Sequence, residues 1–404
     1  IIKINSAESK IDESLRQKYD LLVKAIAEIL QIDKDNKDFK NIDTIKNEEL
    51  SSFEFERKLA DIESKIYTFK SENTKINKSS KLDIVISLGK LDKEKLASDN
   101  INELGKVPIM MYHGIREKIS SSTGTIGGNV DKDGYNRTPS AFREDLEYYY
   151  EKGYEMIRLE DYINGKVTTS YGKSPIILTF DDGNEDNIKV KGTDENGNII
   201  IDENSAVGIL EEFKQKHKDA NVTATFFVNG GIFNQEEYNE KILKWMTDNG
   251  YDIGNHTQTH LDIKKSTSEQ VQKEIAYVYD KLENIIPSKY VKIIALPFGS
   301  PYTKDDPNFK YVLSTTYNDK TYNTEAALRV GWEPEVSCFD KNFDKTFLKR
   351  CRAYDNNGKE FDIKMVFSML EKTKYISDGN PDTIVIKSSD KDKLVDTDKK
   401  VITY

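Results

Sequence analysis

The stretch Ile177-Leu-Thr-Phe-Asp181-Asp182-Gly183 decides how this chain folds. It places two adjacent carboxylates and a glycine directly after a short apolar run. Such a run is typical of a buried strand, and Asp-Asp-Gly is typical of a tight turn that ends one. The segment His256-Thr-Gln-Thr-His260 adds two of the four histidines in the chain, four positions apart. Carboxylates and imidazoles in this pattern indicate a site for a divalent metal ion.

Short apolar runs alternate with amphipathic segments over most of the chain. The predicted strands are Ile109–Tyr112, Ile176–Phe180, Thr223–Val228, Asp252–Gly254, Ile293–Leu296 and, last, Thr383–Ile386. The predicted helices are Ser140–Lys152, Ala206–His217, Glu236–Asn249 and Ser268–Ile286. This alternation predicts an α/β fold with a parallel sheet, either open or closed into a barrel. Asp181 and His256 both follow strands, where such folds place their functional groups.

The first part of the chain has a different pattern. In residues 11–30 apolar side chains recur at intervals of three and four, which predicts an amphipathic helix, and a second helical segment is predicted over 47–69. A strand-like run follows at 82–88. We therefore divide the chain into a small, mainly helical region, 1–100, which acts as a spacer or cap, and an α/β domain, 101–404.

One segment interrupts the alternation directly after the carboxylates. Residues 189–203 predict a β-hairpin insertion with a turn at Glu195-Asn-Gly-Asn198. The insertion forms either one wall of a cleft or a passive surface excursion.

Composition excludes several classes of function. A net charge of -10 argues against nucleic acid as a partner, because phosphate binding needs a basic surface. No run of eighteen apolar residues is present, so no membrane-spanning segment is predicted. The first residue is Ile1, which is compatible with the removal of a signal peptide or an N-terminal anchor. Cys338 and Cys351 are interpreted as two structural thiols, although their spacing alone does not decide whether they pair.

Three protein ligands with open positions are the usual arrangement for a metal ion that activates water. Asp182, His256 and His260 provide such a set, since positions four apart can face the same way. The side chain of Asp181 diverges from that of its neighbour. It is therefore the candidate general base, close to the metal ion but not bound to it.

These motifs resemble those of the polysaccharide deacetylase family, also called the NodB-homology domain or carbohydrate esterase family 4. Beyond Thr179–Gly183 and His256–His260, the matching segments are Pro108–Gly114, Ala224–Val228, Gly250–His256 and Leu296–Gly299. The resemblance covers about residues 106–390 and is strongest to the bacterial extracellular branch, which includes poly-N-acetylglucosamine deacetylases.

The resemblance implies a deformed (β/α) barrel that removes acetyl groups from N-acetylated sugars. It implies Asp181 as the base and a divalent ion, Zn²⁺ or alternatively Co²⁺, Ni²⁺ or Fe²⁺, bound by Asp182, His256 and His260. Substrate contacts are expected from Pro297, Phe298, Gly299 and Trp332. Trp332 is a candidate for stacking on a sugar ring or, alternatively, a core residue, and Tyr112 and Tyr302 are further candidates for stacking.

The chain departs from the family pattern at two places. Ala295 stands where the family often has an arginine that orients the base, and Arg329, Arg350 and Arg352 are candidates to replace it. The segment Thr383–Ser389 lacks the histidine that usually acts as the acid. His113 is a candidate acid or, alternatively, a structural histidine. His217, among lysines, is interpreted as a surface residue.

We therefore expect an extracellular or cell-surface enzyme that deacetylates N-acetylglucosamine residues of a cell-wall polysaccharide, with peptidoglycan as the first candidate. The alternatives are a poly-N-acetylglucosamine deacetylase and, because of the two departures, a carbohydrate-binding pseudoenzyme. An N-acetylated polysaccharide is the expected partner in each case.

Overall fold

The structure is a computed structural model. It describes residues 13–40, 52–72, 93–117, 125–126, 130–131, 135–331, 333–356, 358 and 362–404.

Ten α-helices lie in the described part of the chain: α1 (Glu13–Ile32), α2 (Ser52–Glu72), α3 (Lys93–Ser98), α4 (Pro139–Glu151), α5 (Leu159–Ile163), α6 (Ala206–Lys216), α7 (Asn239–Asp248), α8 (Ser268–Ile285), α9 (Phe309–Leu313) and α10 (Ile363–Leu370). The strands are β1 (Ile109–Tyr112), β2 (Thr125–Ile126), β3 (Val130–Asp131), β4 (Tyr154–Met156), β5 (Ser174–Phe180), β6 (Val190–Thr193), β7 (Ile199–Ile201), β8 (Thr225–Val228), β9 (Asp252–Asn255), β10 (Ile293–Ala295), β11 (Ser314–Tyr317), β12 (Lys320–Asn323), β13 (Ala326–Leu328), β14 (Cys351–Arg352), β15 (Thr383–Ile386) and β16 (Lys400–Thr403).

A parallel sheet of eight strands forms the centre of the α/β domain. Seven of the strands follow the order β13-β10-β9-β8-β5-β1-β14, and β4 pairs with β5 beside this path. The segment that ends in β14 connects the two edges of the sheet. Leu348 pairs with Leu328 of β13, while Cys351 lies opposite Met110 of β1. The sheet thus curls into a distorted barrel, which confirms the predicted fold class.

Alternation along the strands separates two layers of the core. Ile109 and Ile177 belong to a cluster in the interior of the barrel, whereas Met110 and Leu178 pack in the cluster that includes the helices. Because side chains alternate along a strand, positions 113 and 181 continue the interior series beyond the strand ends. The fold therefore directs His113 and Asp181 to the same mouth of the barrel.

Most of the predicted elements are confirmed with small shifts of their ends. The strand Thr383–Ile386 forms as predicted, but the prediction that it belongs to the main parallel sheet is wrong. It pairs with β16 in a separate sheet of two strands. The strand-like run at 82–88 lies outside the described residues.

The hairpin insertion forms between β6 and β7, and contacts hold it against neighbouring elements. Gln235 bonds to the backbone of Val190 and Ile188, and the ammonium of Lys241 on α7 donates to the carbonyl of Gly197 at the turn. The turn of the hairpin thus lies beside α7.

The first two helices pack on each other around their own small core. Leu22 and Ile29 of α1 and Leu59 and Ile66 of α2 are buried together. A hydrogen bond of 3.0 Å from the Ser64 hydroxyl to Asp382 joins this helix pair to the α/β domain. The predicted helices near 11–30 and 47–69 are therefore present.

Three smaller expectations have clear outcomes. Cys338 and Cys351 are free thiols, in agreement with the interpretation of two structural cysteines. The interpretation of His217 as a surface residue is wrong, since its ring lies between Tyr150 and Phe213 and its Nε2 contacts Glu147. None of the helices in the described ranges has both the length and the apolar character needed to cross a membrane.

A buried carboxyl group makes the stability of the fold depend on pH. Burial raises the pKa of Asp378 from the ordinary value of 3.8 to about 6, while Thr383 and the amide of Asn380 donate hydrogen bonds to it. The folded state therefore holds this proton more tightly than the unfolded chain. The resulting stabilisation is complete below about pH 4 and is lost as the pH rises through about 6, by about 3 kcal/mol in total.

We expect the substitution Asp378→Asn to remove this dependence. The free energy of unfolding is measured by urea denaturation at pH 4 and at pH 7 for both chains. The wild type should lose stability between the two pH values through Asp378, and the variant should not, so the difference variant minus wild type should be larger at pH 7. A difference that is the same at both pH values would contradict the assignment.

Candidate metal and base site

A fully buried ion pair holds the first of the two carboxylates. Asp181 follows β5 directly, and both of its oxygens accept hydrogen bonds from Arg350, at 2.7 Å from Nη1 and 2.6 Å from Nη2. Burial alone would raise the pKa of Asp181, but the charge of Arg350, with smaller effects from His256 and His113, holds that pKa below its usual range. Asp181 is thus a fixed, ionised carboxylate.

Arg350 is itself held on every side. Its Nε donates to the carbonyl of Arg329 at 2.8 Å, and its Nη1 lies 3.2 Å from the hydroxyl of Thr179. That hydroxyl donates to the carbonyl of Met110 on β1. Three elements of the barrel therefore fix the guanidinium that fixes Asp181.

Of the three candidate arginines, Arg350 is the one whose side chain contacts Asp181. The other two candidates stack on aromatic rings elsewhere, Arg329 on Phe347 and Arg352 on Tyr135. Sequence reasoning could not choose among the three, because β14 has only two residues and gives no periodic signal.

Asp182, His256 and His260 form a compact cluster beside this pair. Oδ1 of Asp182 lies 3.3 Å from Nε2 of His256 and 3.5 Å from Nε2 of His260. One oxygen or nitrogen from each residue lies within 4.8 Å of the others. The structure thus brings together the three residues that the sequence predicts as metal ligands.

The orientation of His256 fits a metal ligand. Its Nδ1 donates to the carbonyl of Ala295 at 2.7 Å, which fixes the ring and leaves Nε2 directed at the cluster. That Nε2 is buried and makes no hydrogen bond of good geometry. An ion held by one carboxylate and two imidazoles would satisfy this atom, and such donors suit Zn²⁺ and related divalent ions.

The charges of the cluster are strongly coupled. Burial opposes ionisation of Asp182, but the close contact with His256 and the charges of the nearby histidines lower its pKa. Burial also opposes protonation of His256, whose pKa is nevertheless raised by Asp181 and Asp182. For His260, burial and the charge of His256 lower the pKa.

An unusual backbone conformation presents these ligands. Asp182 has φ +75°, His260 has φ +59°, and Gly183 follows Asp182 with φ +57°. A Cβ at Gly183 would lie 2.0 Å from the carbonyl oxygen of Ile232, so only glycine fits there. Strained residues of this kind are found mainly at functional sites.

His113 lies at the same mouth of the barrel. Its Nε2 is 4.0 Å from Oδ2 of Asp181, and its ring packs edge-on against Tyr135. Burial lowers the pKa of His113. Asn187, which is fully buried, donates to the carbonyl of His113 at 2.7 Å and so holds its backbone. Sequence reasoning missed Asn187 and Tyr135, because neither lies in a recognisable motif.

The segment Leu296–Gly299 supplies one exposed group. Pro297 and Gly299 are buried, whereas Phe298 has φ +58° and is 56% exposed, with its ring 4.4 Å from that of His260. Trp332 lies outside the described residues. The segment after β15, which lacks the expected histidine, pairs with the end of the chain through Ser388 and Tyr404.

Fold and site together define a parallel α/β barrel with a candidate metal centre at the carboxyl ends of its strands. Comparison with known proteins agrees with this class. The family model described as polysaccharide deacetylase matches residues 168–313, so the chain contains a domain of the polysaccharide deacetylase family.

Individual relatives match the chain over shorter segments. A peptidoglycan-N-acetylmuramic acid deacetylase of Bacillus subtilis, PdaA, is 32% identical over 110 residues, which is 27% of this chain and 33% of that protein. A peptidoglycan-N-acetylglucosamine deacetylase of Bacillus cereus is 30% identical over 129 residues, 32% of this chain and 38% of that protein. The chain thus spans little more than a third of the length of these two relatives.

The Streptococcus pyogenes deacetylase PplD, in complex with acetate, aligns over 65% of this chain and 97% of its own, with 20% identity and a TM-score of 0.46.

The buried pair of Asp181 and Arg350 predicts a non-additive effect on stability. Arg350→Met should lower the free energy of unfolding by about 3–5 kcal/mol, because it leaves Asp181 buried without a counter-charge. The double variant Asp181→Asn with Arg350→Met should lose clearly less. Arg329→Met serves as the matched control. Urea denaturation of the wild type, the single variants Arg350→Met and Asp181→Asn, the double variant and the control tests this, and additive losses would contradict it.

Proposed function

We propose that this protein is a metal-dependent N-deacetylase that removes acetyl groups from N-acetylglucosamine residues of a cell-wall polysaccharide, most specifically peptidoglycan. The observation that carries the proposal is the ionised carboxylate of Asp181, fixed by Arg350 beside the cluster of Asp182, His256 and His260. A general base next to a metal site is an arrangement that can hydrolyse an unreactive amide.

Asp182, His256 and His260 would hold the divalent ion. Zn²⁺ is the first candidate, with Co²⁺, Ni²⁺ and Fe²⁺ as alternatives. When bound, such an ion supplies a Lewis acid that polarises the acetyl carbonyl and makes a nearby water molecule more acidic.

Asp181 acts in this proposal as the general base. Both of its oxygens are bound to Arg350, so the carboxylate can neither rotate away nor move into the metal cluster. It stays ionised and is ready to accept a proton from the attacking water. The contact with Arg350 therefore keeps the carboxylate of Asp181 both ionised and oriented.

His113 is proposed as the general acid. An amine is a poor leaving group until it is protonated, and His113 is the remaining histidine at this mouth. It lies beside Asp181, on a backbone segment held by Asn187. The lowered pKa of His113 makes its protonated ring a stronger acid and reduces the fraction of molecules that carry this proton near neutral pH.

Peptidoglycan is proposed as the substrate because the names of the two curated relatives specify it. A cell-wall substrate places the protein outside the cell or on its surface. A neutral poly-N-acetylglucosamine is the other substrate to be tested.

The decisive experiment measures acetate released from peptidoglycan and from N-acetylglucosamine oligomers. The wild-type chain with Zn²⁺ or Co²⁺ should release acetate, and a chelator should abolish this. Asp181→Asn should bind Zn²⁺ as the wild type does, by calorimetry, yet lose at least about 1,000-fold in turnover, since it lacks the base. His217→Ala, a histidine outside the cluster, is the control for metal binding.

If the wild-type chain binds the metal and the glycan but releases no acetate from any substrate, the protein is a carbohydrate-binding pseudoenzyme instead.

The role of His113 can be tested through the leaving group. His113→Ala should lose about 100-fold or more on an N-acetylglucosamine oligomer, where the amine must be protonated. It should keep most of its activity on 4-nitrophenyl acetate, whose phenolate leaves without a proton. Equal losses on both substrates would assign His113 a structural role.

A further inference from the structure

A pair of exposed aromatic side chains extends the site on the side of His260. Phe298 and Tyr302, which we call the aromatic rim, are 56% and 58% exposed. Large aromatic side chains normally bury most of their surface, so two of them exposed four residues apart at the mouth of a barrel indicate a binding surface. Phe298 already contacts the ring of His260.

The loop that carries the rim is fixed to the loop that carries His260. The hydroxyl of Ser300 donates to Asp262 at 2.6 Å, and the amide of Lys264 donates to the same hydroxyl at 3.2 Å. Ser300 is buried between the two loops. These bonds hold the backbone at Ser300, two residues before Tyr302, against the loop that follows His260.

A lysine side chain lies close to the ring of Tyr302. The ammonium of Lys264 lies 5.8 Å from the centre of the Tyr302 ring. Neighbouring lysines are paired, Lys265 with Asp262 and Lys304 with Asp344. Within the described ranges, no carboxylate lies at ion-pair distance from Lys264. Its charge is available to a ligand that lies on Tyr302.

We infer that Tyr302 and Lys264 form a subsite for the sugar next to the one that is deacetylated, and that this subsite favours a sugar carrying a carboxylate. The ring of Tyr302 offers a flat apolar surface for the face of the sugar, and Lys264 offers the counter-charge. This inference rests on the proposed function, because it takes the metal cluster as the point where the acetyl group is bound. It also separates the two candidate substrates, since peptidoglycan carries carboxylates, on its stem peptides and on lactyl groups from which the peptide has been removed, and poly-N-acetylglucosamine carries none.

The test compares three oligosaccharides: a neutral N-acetylglucosamine tetramer, glycan fragments of peptidoglycan with free carboxylates, and the same fragments after amidation. We expect Tyr302→Ala to weaken binding of all three by about three- to tenfold, the usual effect of one aromatic contact. Tyr302→Phe, which keeps the ring, should bind like the wild type.

Lys264→Met should weaken only the fragments with free carboxylates, by about two- to fivefold, as for an exposed ion pair. It should also abolish the dependence of that binding on ionic strength. Lys264→Arg should restore both. Lys273→Met, an exposed lysine on α8, is the matched control.

Affinities are measured by calorimetry in the Asp181→Asn background, so the result does not require turnover. Failure of the proposed function would appear as absence of acetate release by the wild-type chain. The inference fails separately if Tyr302→Ala binds all three ligands with the affinity of the wild type. It also fails if Lys264→Met changes the affinity for the free and the amidated fragments by the same factor.

Discussion

The ion pair between Asp181 and Arg350 is the constraint on which the site depends. Both groups are buried, and two charges can remain in such a place only when they are paired and fully hydrogen-bonded. Thr179 and the carbonyl of Arg329 complete the hydrogen bonds of the guanidinium. The pair also joins β5 to the segment that closes the barrel, so the geometry of the base and the closure of the fold are one arrangement.

Around this pair, the site combines a rigid interior with turns that have a strained backbone. Asp182, His260 and Phe298 all adopt left-handed backbone conformations. Buried polar contacts hold these turns, among them the side-chain amide of Asn229, which donates to the carbonyls of His256 and Thr257. Strain of this kind persists only where the surroundings impose it. The ligands are therefore set in place by the fold before any ion binds.

Local patterns in the sequence were sufficient for the strands and for the three clustered ligands. Apolar runs indicate the strands, and two short motifs that each follow a strand, Asp181-Asp182-Gly183 and His256–His260, indicate the cluster; each of these signals lies within a few residues. Arg350 could not be singled out in this way, because its partner is 169 positions away in the chain. The strand at Thr383–Ile386 shows the same limit: its residues predict a strand correctly, but its pairing with β16 depends on long-range contacts. The aromatic rim is likewise visible only once exposure is known.

The order of these parts along the chain has a consequence for how the site comes into being. The segment that matches the family model, 168–313, contains Asp181, Asp182, His256 and His260 but neither His113 nor Arg350. β1 enters the sheet from before that segment and β14 from after it. A fragment cut at the limits of the match would lack four strands of the sheet, β1, β4, β13 and β14, and would leave Asp181 without its counter-charge. Closing the long loops between such distant parts of a chain costs entropy before their contacts can form, so pairing of this kind is slow. The base therefore acquires its final environment only when the barrel closes, and a partly folded chain would lack the arrangement needed for chemistry.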